Sequence, residues 1–172
     1  MRILLEGRPG IGKSTVARRL AELLGDRGAT IAGFVTDELR EGGRRVGFAV
    51  ETFEGERAVL AHVKLAGPPR VSRYGVDVET FERVALPTLR READVFVVDE
   101  IGKMELASAA FRKAAAELFE GRAVVVATVQ LARHPFTDEL KRRRGVEVIR
   151  VGLRNRQELP RELAARLGLA AN

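Results

Sequence analysis

The sequence has no cysteine and no tryptophan, and it contains only two histidines. The absence of cysteine excludes disulfide bonds, thiolate zinc sites and cysteine nucleophiles. Two histidines are too few for a metal centre built from imidazole ligands. Tyr74 is the sole tyrosine, so the chain shows no aromatic platform of the kind on which nucleic-acid-binding proteins stack bases.

Long apolar runs are absent too, since no stretch approaches the length needed to cross a bilayer. The first predicted strand begins at Arg2, which leaves no space for a secretory signal peptide. The 172 residues suit one domain, spanning residues 1–172, with a sizeable core. We expect a soluble, cytoplasmic protein with no membrane partner, as a monomer or a weak homodimer.

The charge is unbalanced, because Lys and Arg outnumber Asp and Glu by 30 to 24 and give a net charge of +6. A basic excess invites a nucleic-acid interpretation. The basic residues, however, are mostly arginines interspersed with acids along predicted helices, which is typical of a solvated surface with ion pairs. The dense run at residues 141–144 precedes Gly145 at a predicted helix C-terminus, where the helix dipole favours cations. Nucleic acid stays open as a partner, but the pattern does not favour it.

Apolar runs recur along the chain and predict strands, several of them buried on both faces because the runs are continuous. The predicted strands are Arg2–Leu5, Ile31–Val35, Val95–Val98, Val124–Val129 and Val146–Val151. Helical patterns occur at Val78–Arg91, Ala107–Phe119, Thr137–Arg144 and Gln157–Leu167. Between the second and third strands, alternation at residues 46–50 and a second apolar run at residues 58–63 predict an antiparallel hairpin. We therefore predict an α/β fold with a mostly parallel sheet, helices on both faces and this hairpin.

The segment after the first strand matches the phosphate-binding pattern G-x-x-x-x-G-K-[ST] at every fixed position. Its residues are Gly7, Arg8, Pro9, Gly10, Ile11, Gly12, Lys13 and Ser14. The glycines let the backbone curl so that its N–H groups point at an anion, and the following helix presents its positive end there. A strand before the motif and a helical apolar face after it favour a nucleoside-triphosphate site over a coincidental Gly-rich turn.

Three side chains at the end of this motif have predicted roles at the triphosphate. Lys13 would bridge the β- and γ-phosphates, and Ser14 would hold Mg²⁺ through its hydroxyl. Thr15, the residue after Ser14, would contact the α-phosphate.

A buried predicted strand ends in two adjacent carboxylates, Asp99 and Glu100. Asp99 would hold the water shell of Mg²⁺ beside Ser14. Glu100 would point toward the γ-phosphate and deprotonate a water for in-line attack. Kinases that share this phosphate-binding loop need an acceptor hydroxyl at that position instead, so the two carboxylates favour hydrolysis. The ordinary alternative is a helix N-cap with an acid in its first turn.

Further candidates come from the ends of the other strands. Thr128 would lie beside Asp99 if their strands are neighbours, where its hydroxyl would sense the γ-phosphate or the water; an ordinary strand threonine is the alternative. No motif commits a cation to the charge that develops on the γ-phosphoryl group. Arg8, Arg40 and Arg156 are candidates by position, and Arg40 is the first choice because it follows the second strand at the ligand edge. Arg156 would otherwise stack on a base of any kind.

The chain resembles a known family, the small P-loop nucleoside-triphosphatases of archaea, thermophilic bacteria and animals, also called cancer-related nucleoside-triphosphatases. The resemblance spans nearly the whole length, and its most specific stretch is DEIGKMEL at residues 99–106. Matching segments also include Gly33–Thr36, Arg45–Phe48, Tyr74–Asp77, Ala127–Thr128 and Asn155–Arg156.

The resemblance implies a RecA-like sheet and Mg²⁺-dependent hydrolysis of ATP, GTP and other nucleoside triphosphates, with little base preference. It marks a second nucleotide-contacting segment, which comprises Phe96, Val97, Val98, Asp99, Glu100, Ile101, Gly102 and Lys103. Lys103 would either reach phosphate or neutralise Glu105. A P-loop kinase of a small molecule or nucleotide, and a triphosphate-dependent nucleic-acid-binding module, stay open as alternatives.

Overall fold

A nine-stranded sheet forms the centre of the computed structural model, which describes residues 1–168. The strands are β1 (Arg2–Gly7), β2 (Ile31–Glu41), β3 (Arg44–Thr52), β4 (Arg57–His62), β5 (Arg70–Val71), β6 (Tyr74–Val76), β7 (Val95–Ile101), β8 (Val124–Gln130) and β9 (Val146–Arg150). The α-helices are α1 (Lys13–Gly25), α2 (Val78–Thr88), α3 (Ala109–Glu120), α4 (Pro135–Arg142) and α5 (Leu159–Leu167), and a 3₁₀ helix covers Glu105–Ala107.

The sheet has a parallel half and an antiparallel half that share β2. The strand order is β5-β6-β4-β3-β2-β7-β8-β1-β9, with parallel pairing from β2 to β9 and antiparallel pairing from β2 to β5. The α/β class is confirmed, and so is the predicted hairpin, which β3 and β4 form. The expectation of a mostly parallel sheet is wrong. Two features account for the difference. The strand β2, which was expected to end at Val35, continues to Glu41 in antiparallel pairing with β3. The strands β5 and β6, which were not predicted, add two more antiparallel pairings beside β4.

Helices cover both faces of the sheet, as predicted. On one face, α1 and α5 pack their apolar stripes on β1 and β7, with Leu20, Leu163 and Val97 fully buried. On the other face, α2, α3 and α4 enclose a larger core. Three rings at its centre, Phe34, Phe81 and Phe111, meet edge to face with centroids 5.3–5.8 Å apart. Such pairs add stabilisation beyond the area that they bury.

Local capping explains where the helices depart from their predicted bounds. Ser108 accepts a hydrogen bond from the Phe111 amide at 2.8 Å, so α3 begins at Ala109 rather than Ala107. The Nδ1 of His134 accepts from the Phe136 amide at 3.2 Å, and Pro135 then opens α4 two residues earlier than expected. No helix within residues 1–168 is both long and apolar enough to cross a membrane.

Candidate active site

The phosphate-binding motif, residues Gly7–Ser14, runs from the end of β1 into the start of α1, and its loop has the sharp backbone path that the glycines predict. Gly10 and Gly12 have φ angles of 74° and 108°, in the region that favours glycine. A Cβ on Gly7 would lie 2.8 Å from the Ile11 side chain and 3.2 Å from the Val151 carbonyl oxygen, so the loop has no room for a side chain there. This path brings the loop directly to the N-terminus of α1, where unpaired N–H groups and the helix dipole attract anions.

A cavity of about 420 Å³ opens against this loop, and we call it the loop cavity. Three parts of the chain line it: the loop with the start of α1, the ends of β7 and β8, and the β2–β3 hairpin. The lining residues are Pro9, Gly10, Gly12, Lys13, Ser14, Thr15, Thr36, Asp37, Glu38, Arg45, Phe48, Glu100 and Gln130. The predicted loop residues and Glu100 therefore face one space.

Lys13 lies at the floor of the loop cavity with its side chain almost fully buried. Its Nζ donates to the carbonyl oxygens of Gly7 at 3.3 Å and Arg8 at 3.5 Å. The same nitrogen is 3.8 Å from Oε1 of Glu100. The one cation fixed by the motif is thus held between loop carbonyls and the predicted general base.

Asp99 is fully buried beneath the loop, at the point where three parallel strands end. Its Oδ1 accepts hydrogen bonds from the hydroxyls of Ser14 at 2.9 Å and Thr128 at 2.6 Å, while Oδ2 has no partner within the described residues. Burial raises the pKa of Asp99, and the two hydroxyl contacts oppose this. The Ser14 hydroxyl and the Asp99 carboxylate, whose Oδ2 is buried and unpartnered within the described residues, are the hard oxygen donors that Mg²⁺ prefers, so these residues fit the predicted metal.

Thr128 lies beside Asp99, because β8 is the parallel neighbour of β7. Its hydroxyl donates to Asp99, so in this structure it orients the carboxylate. Gln130, two residues further on the same strand, lines the loop cavity instead. Sequence reasoning missed Gln130, although its position i+2 from Thr128 places it on the same face of the strand.

Glu100 presents its carboxylate to the loop cavity, and its Oε1 is buried with no hydrogen-bond partner within residues 1–168. Burial raises the pKa of this carboxyl, and the charge of Lys13 partly opposes the rise. A carboxylate with a raised pKa next to the predicted phosphate-binding loop is suited to accept a proton.

Behind Glu100, Glu105 is a second buried acid. Its Oε2 accepts a hydrogen bond from the Gly102 amide at 3.0 Å, which closes the turn after β7. Burial, reinforced by the charge of Glu100, raises the pKa of Glu105 to about 8. Lys103 is exposed and forms no ion pair with Glu105 among the described residues. Lys103 therefore leaves Glu105 un-neutralised, and its contact with phosphate stays a prediction.

The apolar residues of the second predicted nucleotide-contacting segment lie in the core beneath the site. Phe96, Val98 and Ile101 are buried in the larger core, and Val97 is buried on the opposite face. Only after Val98 does the strand turn polar groups toward the loop.

The three arginines singled out from the sequence lie in different places. Arg40 stands inside β2 and donates to Glu38 Oε2 at 2.6 Å and to the Gly43 carbonyl at 3.1 Å, away from the lining of the loop cavity. Arg8 lines a separate groove beside residues 150–155. Arg156 donates to the Ile11 carbonyl at 3.2 Å and, with Gly12, lines an adjoining cavity of about 380 Å³.

Comparison with known proteins identifies the family. A family model described as NTPase matches residues 2–164. The chain belongs to this NTPase family. The match confirms the resemblance and the enzyme class, a nucleoside-triphosphatase, that the sequence motifs indicate. The NTPase family model ends within α5 and so takes in all nine strands.

Curated relatives from the NTPase family are similar over nearly their whole length. The nucleoside-triphosphatase THEP1 of Thermotoga sp. (strain RQ2) is 39% identical over 95% of this chain and 93% of its own. The human cancer-related nucleoside-triphosphatase is 38% identical over 91% of each. The crystal structure of THEP1 from the hyperthermophile Aquifex aeolicus superposes with a TM-score of 0.87 at 33% identity, covering 98% of this chain and 99% of that one.

Proposed function

We propose that this protein is a Mg²⁺-dependent phosphohydrolase that converts ATP, GTP and other nucleoside triphosphates to the diphosphate and phosphate. One observation carries the proposal: Lys13 Nζ and Glu100 Oε1 lie 3.8 Å apart in a cavity at the N-terminus of α1. A phosphate-binding cation and a buried carboxylate side by side are what hydrolysis of a bound triphosphate requires. The order of the parallel strands, with β8 between β1 and β7, supports a RecA-like arrangement.

The loop and its flanking residues hold the substrate. Backbone N–H groups of the loop surround the β- and γ-phosphates, with Lys13 between them and Thr15 toward the α-phosphate. Ser14 and Asp99 would hold Mg²⁺, which when bound neutralises charge on the phosphate oxygens. Thr128 keeps the Asp99 carboxylate in place through its 2.6 Å hydrogen bond.

Glu100 acts as the general base. A water between Glu100 and the γ-phosphorus forms the new P–O bond while its proton passes to the carboxylate. The bond to the β-phosphate oxygen breaks, and the electron pair leaves with the nucleoside diphosphate. Gln130, which lines the cavity beside Glu100, is placed to orient that water.

Low base selectivity follows from where the polar contacts lie. All motif contacts fall on phosphate and metal, and no base-reading pattern such as N-K-x-D is present. The cavity next to Gly12 is lined by Thr15, Arg19, Arg156, Gln157 and Pro160. The flat guanidinium of Arg156 stacks on any base without reading its edge.

Phosphate release from ATP, GTP, CTP and UTP, with no acceptor present, tests the proposal. We expect Mg²⁺-dependent release from all four, with efficiencies within about tenfold, since a site that reads a base edge discriminates far more strongly. One nucleotide preferred by several orders of magnitude would contradict low selectivity. Release that needs an added acceptor would instead identify a kinase.

A further inference from the structure

One arginine of the β2–β3 hairpin faces the same cavity as Lys13 and Glu100. Arg45, in β3, is the only arginine among the residues within 1–168 that line the loop cavity. Arg40, Arg8 and Arg156 all lie outside that lining. The strand that carries Arg45 belongs to the antiparallel half of the sheet, so this half forms the wall of the cavity that faces the loop.

Arg45 is held by its neighbours rather than extended into solvent. Its Nε donates to the hydroxyl of Tyr74 at 3.0 Å, and its Nη1 donates to Glu38 Oε1 at 2.8 Å. The guanidinium lies 5.2 Å from the centre of the Phe48 ring and 5.9 Å from that of Tyr74. Rings at these distances attract a cation and restrict its rotamers. Tyr74 is itself buried, on β6.

These contacts leave most of the guanidinium fork for a ligand. Two of its five N–H donors are used, and the side chain is 44% exposed. The other three make no hydrogen bond within residues 1–168. A planar fork of this kind matches the oxygens of a phosphoryl group in pairs, which a lysine cannot do.

Transfer of a γ-phosphoryl group in the loop cavity also needs a second cation, to balance the charge that develops there. Among the described residues, Lys13 is the only other positive group that lines this cavity, against the carboxylates of Asp37, Glu38 and Glu100. Asp37 is neutralised by Arg18 and Arg57, and Glu38 is shared between Arg40 on Oε2 and Arg45 on Oε1. Charge that develops on a γ-phosphoryl group during transfer would meet Lys13 from the loop side and Arg45 from the hairpin side.

We propose that Arg45 is the arginine that contacts the γ-phosphoryl group and stabilises its transition state, supplied by the same chain. The assignment rests on the proposed hydrolysis and replaces Arg40, the first choice from the sequence. Glu38, Phe48 and Tyr74 position the guanidinium. The antiparallel half of the sheet is then part of the catalytic machinery.

The test compares Arg45→Ala, Arg45→Lys, Arg40→Ala and Arg44→Ala. Arg44 is the adjacent residue of β3 with its side chain exposed, so its variant is the matched control. Three quantities are measured: single-turnover hydrolysis, affinity for a non-hydrolysable triphosphate, and trapping of the diphosphate with aluminium fluoride, which imitates the transferred phosphoryl group. Arginines in this role contribute on the order of 10³-fold or more.

We expect Arg45→Ala to lose about 10³-fold in hydrolysis and to lose the trapped complex, while triphosphate affinity changes a few-fold. Arg45→Lys should stay near Arg45→Ala because it lacks the fork, and Arg44→Ala should match wild type. Wild-type specific activity should not vary with protein concentration, because the arginine acts within one chain.

Active wild type with an equally active Arg45→Ala variant would overturn the assignment but not the hydrolase. Full trapping by Arg45→Ala, or a larger loss in Arg40→Ala, would also overturn it. Wild type that releases no phosphate would remove the hydrolase itself. Thermal unfolding and the Arg45→Lys variant separate a lost contact from a misfolded protein.

Discussion

Asp99 and Lys13, at the centre of the site, each have more than one partner, and the loss of one partner therefore disturbs the other contacts. Asp99 accepts from Ser14 and Thr128, and Lys13 lies against both the loop carbonyls and Glu100. Buried groups of this kind are costly when left unpaired. A substitution here therefore measures both the group that is lost and the partners that it leaves unpaired.

Lys13→Ala should abolish turnover and weaken triphosphate binding, because it removes the cation that the phosphate-binding motif itself fixes. We expect a loss on the order of 10²–10³ or more in phosphate release. Phosphate release and the affinity for a fluorescent triphosphate measure the two effects. Lys113→Ala is the control, since Lys113 is exposed on α3 and, within residues 1–168, pairs only with Glu117. Near-normal turnover of Lys13→Ala would remove the loop from the mechanism.

Glu105→Gln should change how stability depends on pH. The pKa of Glu105 is about 8, above its ordinary value of 4.5, so between these values the folded protein keeps a proton that the unfolded chain releases. The free energy of unfolding therefore falls as pH rises through this window, by about 1.4 kcal/mol per unit of pKa difference, and levels off above pH 8.

The glutamine variant is neutral throughout and keeps an oxygen that accepts from Gly102. Urea unfolding in metal-free buffer from pH 5 to pH 9 should thus find it increasingly more stable than wild type, by a few kcal/mol at the alkaline end. Parallel curves for the two proteins across that range would mean that Glu105 is ionised in the folded state.

At the scale of elements, local patterns predicted what local forces determine. Apolar runs, several of them continuous, predicted all five parallel strands, and the glycine spacing predicted the loop that follows β1. The second part of β2 could not be predicted because its residues are polar, as in Asp37 and Glu38. They are held as a strand by pairing with β3, a contact that the sequence pattern does not reveal.

The same limit applies to the site. Lys13, Ser14, Asp99 and Glu100 belong to contiguous motifs, so their chemistry is readable from spacing. Gln130 reaches the cavity only because β8 is a neighbour of β7. Arg45 and Phe48 reach it only because β3 folds back along β2. No local sequence pattern predicts either position.

Close packing of β2 on β7 depends on one glycine. A Cβ on Gly33, where φ is 111°, would lie 2.0 Å from the carbonyl oxygen of Val97. We expect Gly33→Ala to lower the free energy of unfolding by about 3 kcal/mol or more, from strain and clash together. Gly43→Ala separates the two, since φ is 75° there and no atom lies within 4 Å of the added carbon. Urea unfolding that gives equal losses would exclude the clash.

For the whole molecule, the fold brings the parallel and the antiparallel half of one sheet together around one cavity. The parallel half supplies the loop, Asp99 and Glu100, and the antiparallel half supplies the opposite wall. The basic excess is dispersed over the surface in ion pairs, such as Arg57 with Glu51 and Arg166 with Glu147. This agrees with the solvated, ion-paired surface that the sequence indicates, and nucleic acid stays an open partner that the sequence does not favour.

The central claim is that Glu100 takes the proton from the attacking water, and Glu100→Gln tests it most directly. The measurement pairs single-turnover hydrolysis with the affinity for the Mg²⁺-triphosphate complex. We predict hydrolysis reduced by roughly 10² or more, with affinity within a few-fold of wild type, because the amide keeps the shape but cannot accept the proton. Hydrolysis that survives the change, or a loss caused by weaker binding and shared equally with Asp99→Asn, would contradict the claim.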